Sequence, residues 1–384
     1  MQKNILPEKL VNFIRDLYPS SEKISLHEPY FSGNEKYYLT QTINKNVVSS
    51  IGEYVNQFES KVAKFTGAKF AISTVTGTSA LHTILKLIGV SNETEVLTQS
   101  FTFIATCNAI SYCGGHPVFI DINKTNLGLC PVSLENFLKS NCEIRNDGFC
   151  WNKVTNRKVI ACMPMHTFGF PVEIKEIKNI CDLYNIKLVE DAAESLGSYH
   201  ENIHTGNYGI AAGISFNGNK IITTGGGGMI ITNDEDLANR AMHITKTSKI
   251  NHKWHFDHDE VGFNYRMPNL NAALGLAQIE NISDILEKKR DLAKKYLDWG
   301  IDNGLEVLSE KTNTKSNYWL NCLILKNKEE RDLILRFSNA NQIMIRPGWK
   351  PMHTLEIYKN EYKTNMSNTN WIFDRLVSLP STVK

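Results

Sequence analysis

From Phe70 to Thr232 the chain alternates short apolar runs with stretches of helical spacing, and that alternation limits the folds open to it. The pattern predicts strands at Phe70–Val75, Glu95–Thr98, Pro117–Ile122, Lys158–Met163, Lys187–Glu190, Gly213–Phe216 and Met229–Thr232. Helices are expected between them: after Thr76-Gly-Thr-Ser79, with Leu81, Ile84, Leu85 and Ile88 on one face, near Ile104–Tyr112, and over Glu173–Tyr184. Strands interleaved with helices imply an α/β fold with a mostly parallel sheet covered on both faces. Upstream, Ser50-Ile-Gly-Glu53 has the spacing of a capping box and opens a helix with Val55, Phe58, Val62 and Phe65 on one side. After about residue 255 the pattern changes to a long helical stretch (Leu270 to about Trp299), strands near Tyr318–Leu325 and Ile343–Ile345, and a helix near Glu329–Ala340. We therefore expect a large domain over residues 1–255 and a smaller α+β C-terminal domain over 256–384.

Composition narrows the function. Lys and Arg total 42 against 40 Asp and Glu, so the net charge is +2. This balance excludes the broad basic field of a nucleic-acid-binding protein. The longest stretch free of Asp, Glu, Lys and Arg, Val96 to Ile120, is broken by Gln99, Asn108, Gly114, Gly115, His116 and Pro117, and reads as buried core rather than a membrane span. The opening MQKNILPEKLVNFIRDLYP has no continuous apolar segment and no small-residue cleavage site, as expected of a mature cytoplasmic start. Eight scattered cysteines without a Cys-x-x-Cys pair read as free thiols, and no structural metal is expected.

Several residues could carry chemistry. Asp191 ends the apolar strand Lys187-Leu-Val-Glu-Asp191, and ligands of open α/β sheets sit at the carboxyl ends of strands. Its carboxylate could hold a cationic ring nitrogen, or equally be the N-cap of a helix from Ala192 onward. Lys220 follows a strand and a tight turn and is hemmed in by Phe216, Ile221 and Ile222. Most lysines are solvated surface charges, but an amine among apolar neighbours is a usable nucleophile. Thr76-Gly-Thr-Ser79 offers the N–H groups of a helix start and two hydroxyls to a phosphate, or forms a plain N-cap. Gly225-Gly-Gly-Gly228 lacks the Gly-x-Gly-x-x-Gly spacing of a dinucleotide site and reads as flexible or tightly packed backbone beside Lys220. His166 sits at a strand end, where a structural role competes with a catalytic one. The run Glu287-Lys-Lys-Arg-Asp-Leu-Ala-Lys-Lys295 reads as a solvated helix face. Taken together, a phosphate cradle, a carboxylate for a ring nitrogen and an amine make up the protein half of a pyridoxal 5′-phosphate site.

The same residues carry a resemblance. Thr76-Gly-Thr-Ser-Ala-Leu-His82, Phe101-Thr-Phe-Ile-Ala-Thr106, Val189-Glu-Asp-Ala-Ala-Glu194, Ser215-Phe-Asn-Gly-Asn-Lys220 and Gly262-Phe-Asn-Tyr-Arg-Met267 resemble the motifs of the DegT-type sugar-nucleotide aminotransferases, a family of fold type I pyridoxal phosphate enzymes. The resemblance runs from about residue 26 to 355. It implies that Lys220 carries the cofactor, Asp191 pairs with its ring nitrogen, Phe103 stacks on the ring, and Thr78, Ser79 and Ser215 hold the phosphate. It further implies that Asn264 reaches the cofactor phosphate of a neighbouring subunit, giving a homodimer with shared sites, and that His166 lies near the sugar. Arg266 and Arg346 are candidates for a carboxylate or diphosphate, with Trp349 beside the substrate. Glu194 stands where many members have Gln bonded to the cofactor's phenolic oxygen, and it must be protonated or turned elsewhere. The segments Leu26–Glu35 and Arg346–Thr354 are similar to the branch that aminates C4 of a UDP-linked 4-keto-6-deoxy-N-acetylhexosamine with glutamate as donor, giving UDP-4-amino-4,6-dideoxy-GlcNAc for bacterial surface glycans. The alternatives are a GDP-linked 4-keto-6-deoxymannose as substrate, or a non-catalytic regulator that keeps the fold.

Overall fold

The structure, a computed structural model, describes residues 5–384; the first four residues of the N-terminal stretch read above lie outside it. Seven strands form the main path of the large sheet, in the order Phe70–Thr74, Gly228–Thr232, Ala211–Ser215, Lys187–Asp191, Arg157–Cys162, Thr94–Gln99, His116–Ile120. Gly228–Thr232 runs antiparallel to both Phe70–Thr74 and Ala211–Ser215; the four pairings from Ala211–Ser215 to His116–Ile120 are parallel. Thr94–Gln99 and Gly228–Thr232 are buried along their whole length, which is why they read as near-continuous apolar or uncharged runs. The hairpin Cys142–Ile144/Cys150–Asn152, which extends the sheet beside Arg157–Cys162, has no counterpart in the sequence reading.

The C-terminal part builds a second, four-stranded antiparallel sheet from Glu306–Val307, Asn321–Ile324, Leu376–Leu379 and Arg346–Pro347. The helix Ile5–Leu17 belongs beside it in space: Ile24 bridges to Ile343, and Tyr18 Oη donates to the carbonyl of Thr382 at 2.9 Å. One apolar core runs from Leu10 and Ile14 through Phe58 and Phe216 to Leu323 and Leu379, so the two sheets share a hydrophobic interior.

Three local expectations change. The helix after Ser50 starts at Glu53 with Gly52 as its N-cap and no side-chain cap, so the capping box does not form. Its buried face is the expected one: Val55, Phe58 and Val62. The long helical stretch is two helices, Asn269–Glu280 and Ile282–Asp302, broken at Asn281 (φ −103°, ψ 7°). Asn competes with helix hydrogen bonding through its own side chain, and here its Nδ2 bonds back to the carbonyl of Ala277. The basic run is not wholly solvated. Lys288 pairs with Asp284 and Lys294 with Asp298, but Lys289 is fully buried and donates to the carbonyl of Trp319 at 2.8 Å. Among the described residues no helix is long and apolar enough to cross a membrane.

Candidate active site

The carboxyl ends of the parallel strands open onto a cavity of about 290 Å³. Strand Phe70–Thr74 feeds through Thr76 into the helix Gly77–Leu87. Thr76 is the N-cap: its Oγ1 accepts from the N–H of Ser79 at 3.0 Å and lies 2.8 Å from the Ser79 hydroxyl. Gly77 is required here because a Cβ would lie 2.9 Å from the Cβ of Ser215, so the helix start presses directly on the end of strand Ala211–Ser215. The first turn of a helix keeps N–H groups without intrahelical partners and carries the positive end of the dipole. Thr78 and Ser215 face the cavity at this point. Ser79 does not line it; its hydroxyl and its N–H both meet Thr76 Oγ1.

Asp191 closes the strand Lys187–Asp191 and is buried at the cavity floor. Oδ2 accepts from Thr106 Oγ1 at 2.7 Å and Oδ1 from the Ala193 N–H at 3.1 Å. No helix starts at Ala192, so the expected helix N-cap is replaced by a bond to a turn, and the carboxylate faces the cavity. Burial pushes its carboxyl up; the two hydrogen bonds and the nearby Lys220 pull the other way. A cation placed against it would favour the ionised form further.

Lys220 enters from the turn after Ala211–Ser215, between buried Phe216, Ile221 and Ile222, and its side chain is 13% exposed. Nζ donates to Glu194 Oε1 at 2.9 Å and sits 4.0 Å from the ring centroid of Trp319. Glu194 therefore faces the amine, and its Oε2 accepts from the Phe168 N–H at 2.9 Å. Burial pushes the Glu194 carboxyl up to about 7, with Lys220 opposing. Gly227 lines the cavity beside Lys220, and a Cβ on Gly228 would meet the Thr76 carbonyl at 2.3 Å; these two glycines are tightly packed, whereas Gly225 and Gly226 have open space around them. At the mouth, half-exposed Phe103 lies 6.0 Å from Trp349, ring to ring.

Besides Ser79, four expected residues lie off the cavity. His166 is fully buried, with Nε2 2.9 Å from Glu190 Oε2 and Nδ1 accepting from the Val172 N–H at 3.2 Å. Glu190 also receives the N–H groups of Gly206, Tyr208 and Gly209. Burial raises the Glu190 carboxyl, but His166 and these amides outweigh it and hold it below the ordinary range. His166 thus lies off the cavity with both ring nitrogens engaged by the protein. His166→Ala should strand the acceptor of Glu190 and the donor of Val172, at roughly 1–3 kcal/mol for each group. Denaturant unfolding would show the loss, with KM for the sugar nucleotide unchanged; an unchanged midpoint with a raised KM would return His166 to the substrate. Arg266 is buried in a pair with Glu59 Oε1 at 2.7 Å and donates to the Ser73 carbonyl at 2.9 Å. It shares a second cavity of about 950 Å³ with exposed Asn264 and Lys246 and half-buried Lys249. Arg346 is exposed on its short strand, beside Asn339.

Sequence reasoning passed over two residues. Thr106 stands within a quoted motif, and its hydroxyl is the one signal that could have tied it to a carboxylate. Trp319 comes from the smaller sheet's side of the molecule, and its indole N–H donates to the Asn219 carbonyl at 2.6 Å, next to Lys220. No local pattern marks it.

Residues 29–384 match the sequence profile of the DegT/DnrJ/EryC1/StrS aminotransferase family. The chain belongs to this family. It is 34% identical over 361 residues to the GDP-perosamine synthase of Vibrio cholerae, covering 93% of this chain and 94% of that one. The GDP-perosamine synthase of Escherichia coli O157:H7 is 32% identical, with 93% and 94% covered. Among solved structures, Helicobacter pylori PseC, an aminotransferase involved in the biosynthesis of pseudoaminic acid, superposes with a TM-score of 0.84 at 22% identity, covering 93% of each chain. The aminotransferase TlmJ from Streptoalloteichus hindustanus gives 0.84 at 22%, covering 94% of this chain and 93% of that one. The fold is that of the fold type I sugar aminotransferases, and this DegT-family chain is a pyridoxal phosphate-dependent sugar aminotransferase. The cavity fits the cofactor: it offers an amine, a buried carboxylate and a helix start within one enclosure.

Proposed function

We propose that the chain transfers the amino group of glutamate to the C4 ketone of a GDP-linked 4-keto-6-deoxymannose, giving GDP-4-amino-4,6-dideoxymannose. The UDP-linked acetamido sugar expected first from the sequence gives way to this second expectation, because two relatives covered over nine-tenths of their length are GDP-perosamine synthases. The observation that carries the catalytic part is the convergence of Lys220, Asp191, Thr78 and Ser215 on one cavity.

When bound, the cofactor supplies an electron sink for the carbon that loses its proton. The chain does the rest. Thr78 and Ser215, with the N–H groups of the helix start, hold the phosphate; Phe103 covers the ring face. Asp191 keeps a proton on the ring nitrogen. Lys220 Nζ removes the proton from the donor's Cα as a general base, and in the second half-reaction returns a proton to the sugar's C4. Trp349 borders the sugar. Asn264, exposed and off the cavity of its own chain, serves the neighbouring subunit's phosphate in a homodimer. The cofactor-holding unit ends near residue 255, and the helix Ile5–Leu17 goes with the smaller unit that follows.

A substrate panel tests the reading. With glutamate and either GDP-4-keto-6-deoxymannose or the UDP-linked 4-keto-6-deoxy-N-acetylhexosamine, kcat/KM should favour the GDP sugar at least tenfold, with ping-pong kinetics. A preference for the UDP sugar would reverse the assignment.

A further inference from the structure

Glu194 has no role in the account so far, yet its geometry is specific. It leaves the turn after Lys187–Asp191 and points one oxygen at Lys220 Nζ, 2.9 Å away. The other oxygen is pinned by the Phe168 N–H at 2.9 Å, so the carboxyl cannot swing freely. Its side chain is 1% exposed. The charged and titratable groups around the pair are Asp191, the thiol of Cys322 from the smaller sheet and, on the amine's side, buried His27 beside Asn219. On the other side of the amine lies the Trp319 ring.

We propose that Glu194 is the resident proton acceptor of Lys220, taking one proton from Nζ so that the amine becomes a neutral nucleophile. One N–H bond breaks and one O–H bond forms. The freed lone pair stays on Nζ, and the new carboxyl O–H donates to it. No net charge enters or leaves the site. The exchange turns a buried ion pair into a neutral hydrogen-bonded pair, which removes the desolvation penalty of two charges. Trp319 opposes it, because an aromatic face favours the ammonium. A carboxyl that burial lifts to about 7 can hold a proton near neutrality. A glutamine at this position could not accept one. The inference rests on the proposed role of Lys220 as the cofactor-carrying amine.

The test uses the full-length chain stripped of cofactor, with pyridoxal phosphate as the probe. Its uptake rate is followed by absorbance from pH 5.5 to 9 for wild type and Glu194→Gln. Below about pH 7 Glu194 is already protonated and cannot take the Nζ proton, so the wild-type rate should rise as pH increases through that value. Glu194→Gln should lack this rise and capture the cofactor at least tenfold more slowly at pH 8. The cofactor's own titrations are common to both proteins and cancel in the comparison. Glu194→Asp should restore part of the rise. Profiles of Gln and wild type that superimpose would overturn the proposal. Carbon-13 carboxyl NMR of the wild-type apoprotein is independent of how the variant folds: a glutamate titrating near neutrality that moves higher in Lys220→Met supports the proposal, and a midpoint in the ordinary carboxylate range overturns it. Borohydride reduction in the same preparation separates the two ideas. A pyridoxyl tag away from Lys220 contradicts the proposed function, whereas a tag on Lys220 with no pH difference contradicts only the role of Glu194.

Discussion

Lys220→Ala should lower turnover by at least a hundredfold, the lower bound for losing a positioned acid–base group. The effect should exceed that bound, because the same amine both carries the cofactor and moves the proton, so neighbouring water has two functions to replace. The structure limits substitutes: Nζ is enclosed by Glu194 and Trp319, and no second lysine lines the cavity among the described residues. Added primary amines should restore part of the proton transfer in this variant, since the space of the side chain is left open. Single-turnover absorbance measurements would resolve the two half-reactions. A variant retaining more than about a hundredth of the wild-type rate would remove Lys220 from catalysis.

Asp191→Asn is expected to have the second largest effect. Two opposite charges about 4 Å apart interact by about 4 kcal/mol at an effective dielectric near 20, and about 1.4 kcal/mol is tenfold in rate. Turnover should therefore fall by roughly 10²–10³-fold, and the cofactor should bind more weakly. The fold should survive, because Asn Oδ1 still accepts from the Ala193 N–H and Thr106 Oγ1 can turn its hydroxyl to suit an amide. The check is kcat together with a cofactor titration. Unchanged rate and affinity would leave Asp191 as a turn cap alone.

The framework of the site was legible in the sequence because its strands are buried on both faces and their ends carry the functional groups. Asp191 could be found this way, since two acids ending the apolar run Leu188-Val189 stand out. Lys220 and Thr78 were found the same way, each just past a strand. What could not be read were partners distant in sequence. His166 looked like a strand-end candidate, and only the folded chain brings Glu190 and the Val172 N–H to its two nitrogens. Arg266 looked like an anion ligand until Glu59 and the Ser73 carbonyl claimed it. Trp319 reaches Lys220 from about a hundred residues away in the chain, and buried Lys289, read as part of a solvated face, supports the Trp319 carbonyl. The failed capping box has a tertiary cause. A Cβ on Gly52 would lie 2.2 Å from Asn269, whose amide donates to the Val47 carbonyl, so the entry to that helix is set by a contact across the fold.

The central claim is that one amine, that of Lys220, carries the aldehyde of pyridoxal phosphate. Borohydride reduction of the purified holoprotein followed by proteolysis and peptide mass spectrometry tests it most directly. The account predicts a yellow protein that bleaches on reduction, with a single pyridoxyl group on the peptide containing Ser215-Phe-Asn-Gly-Asn-Lys220. A pyridoxyl group on any other residue, or none on a protein saturated with cofactor, would contradict it.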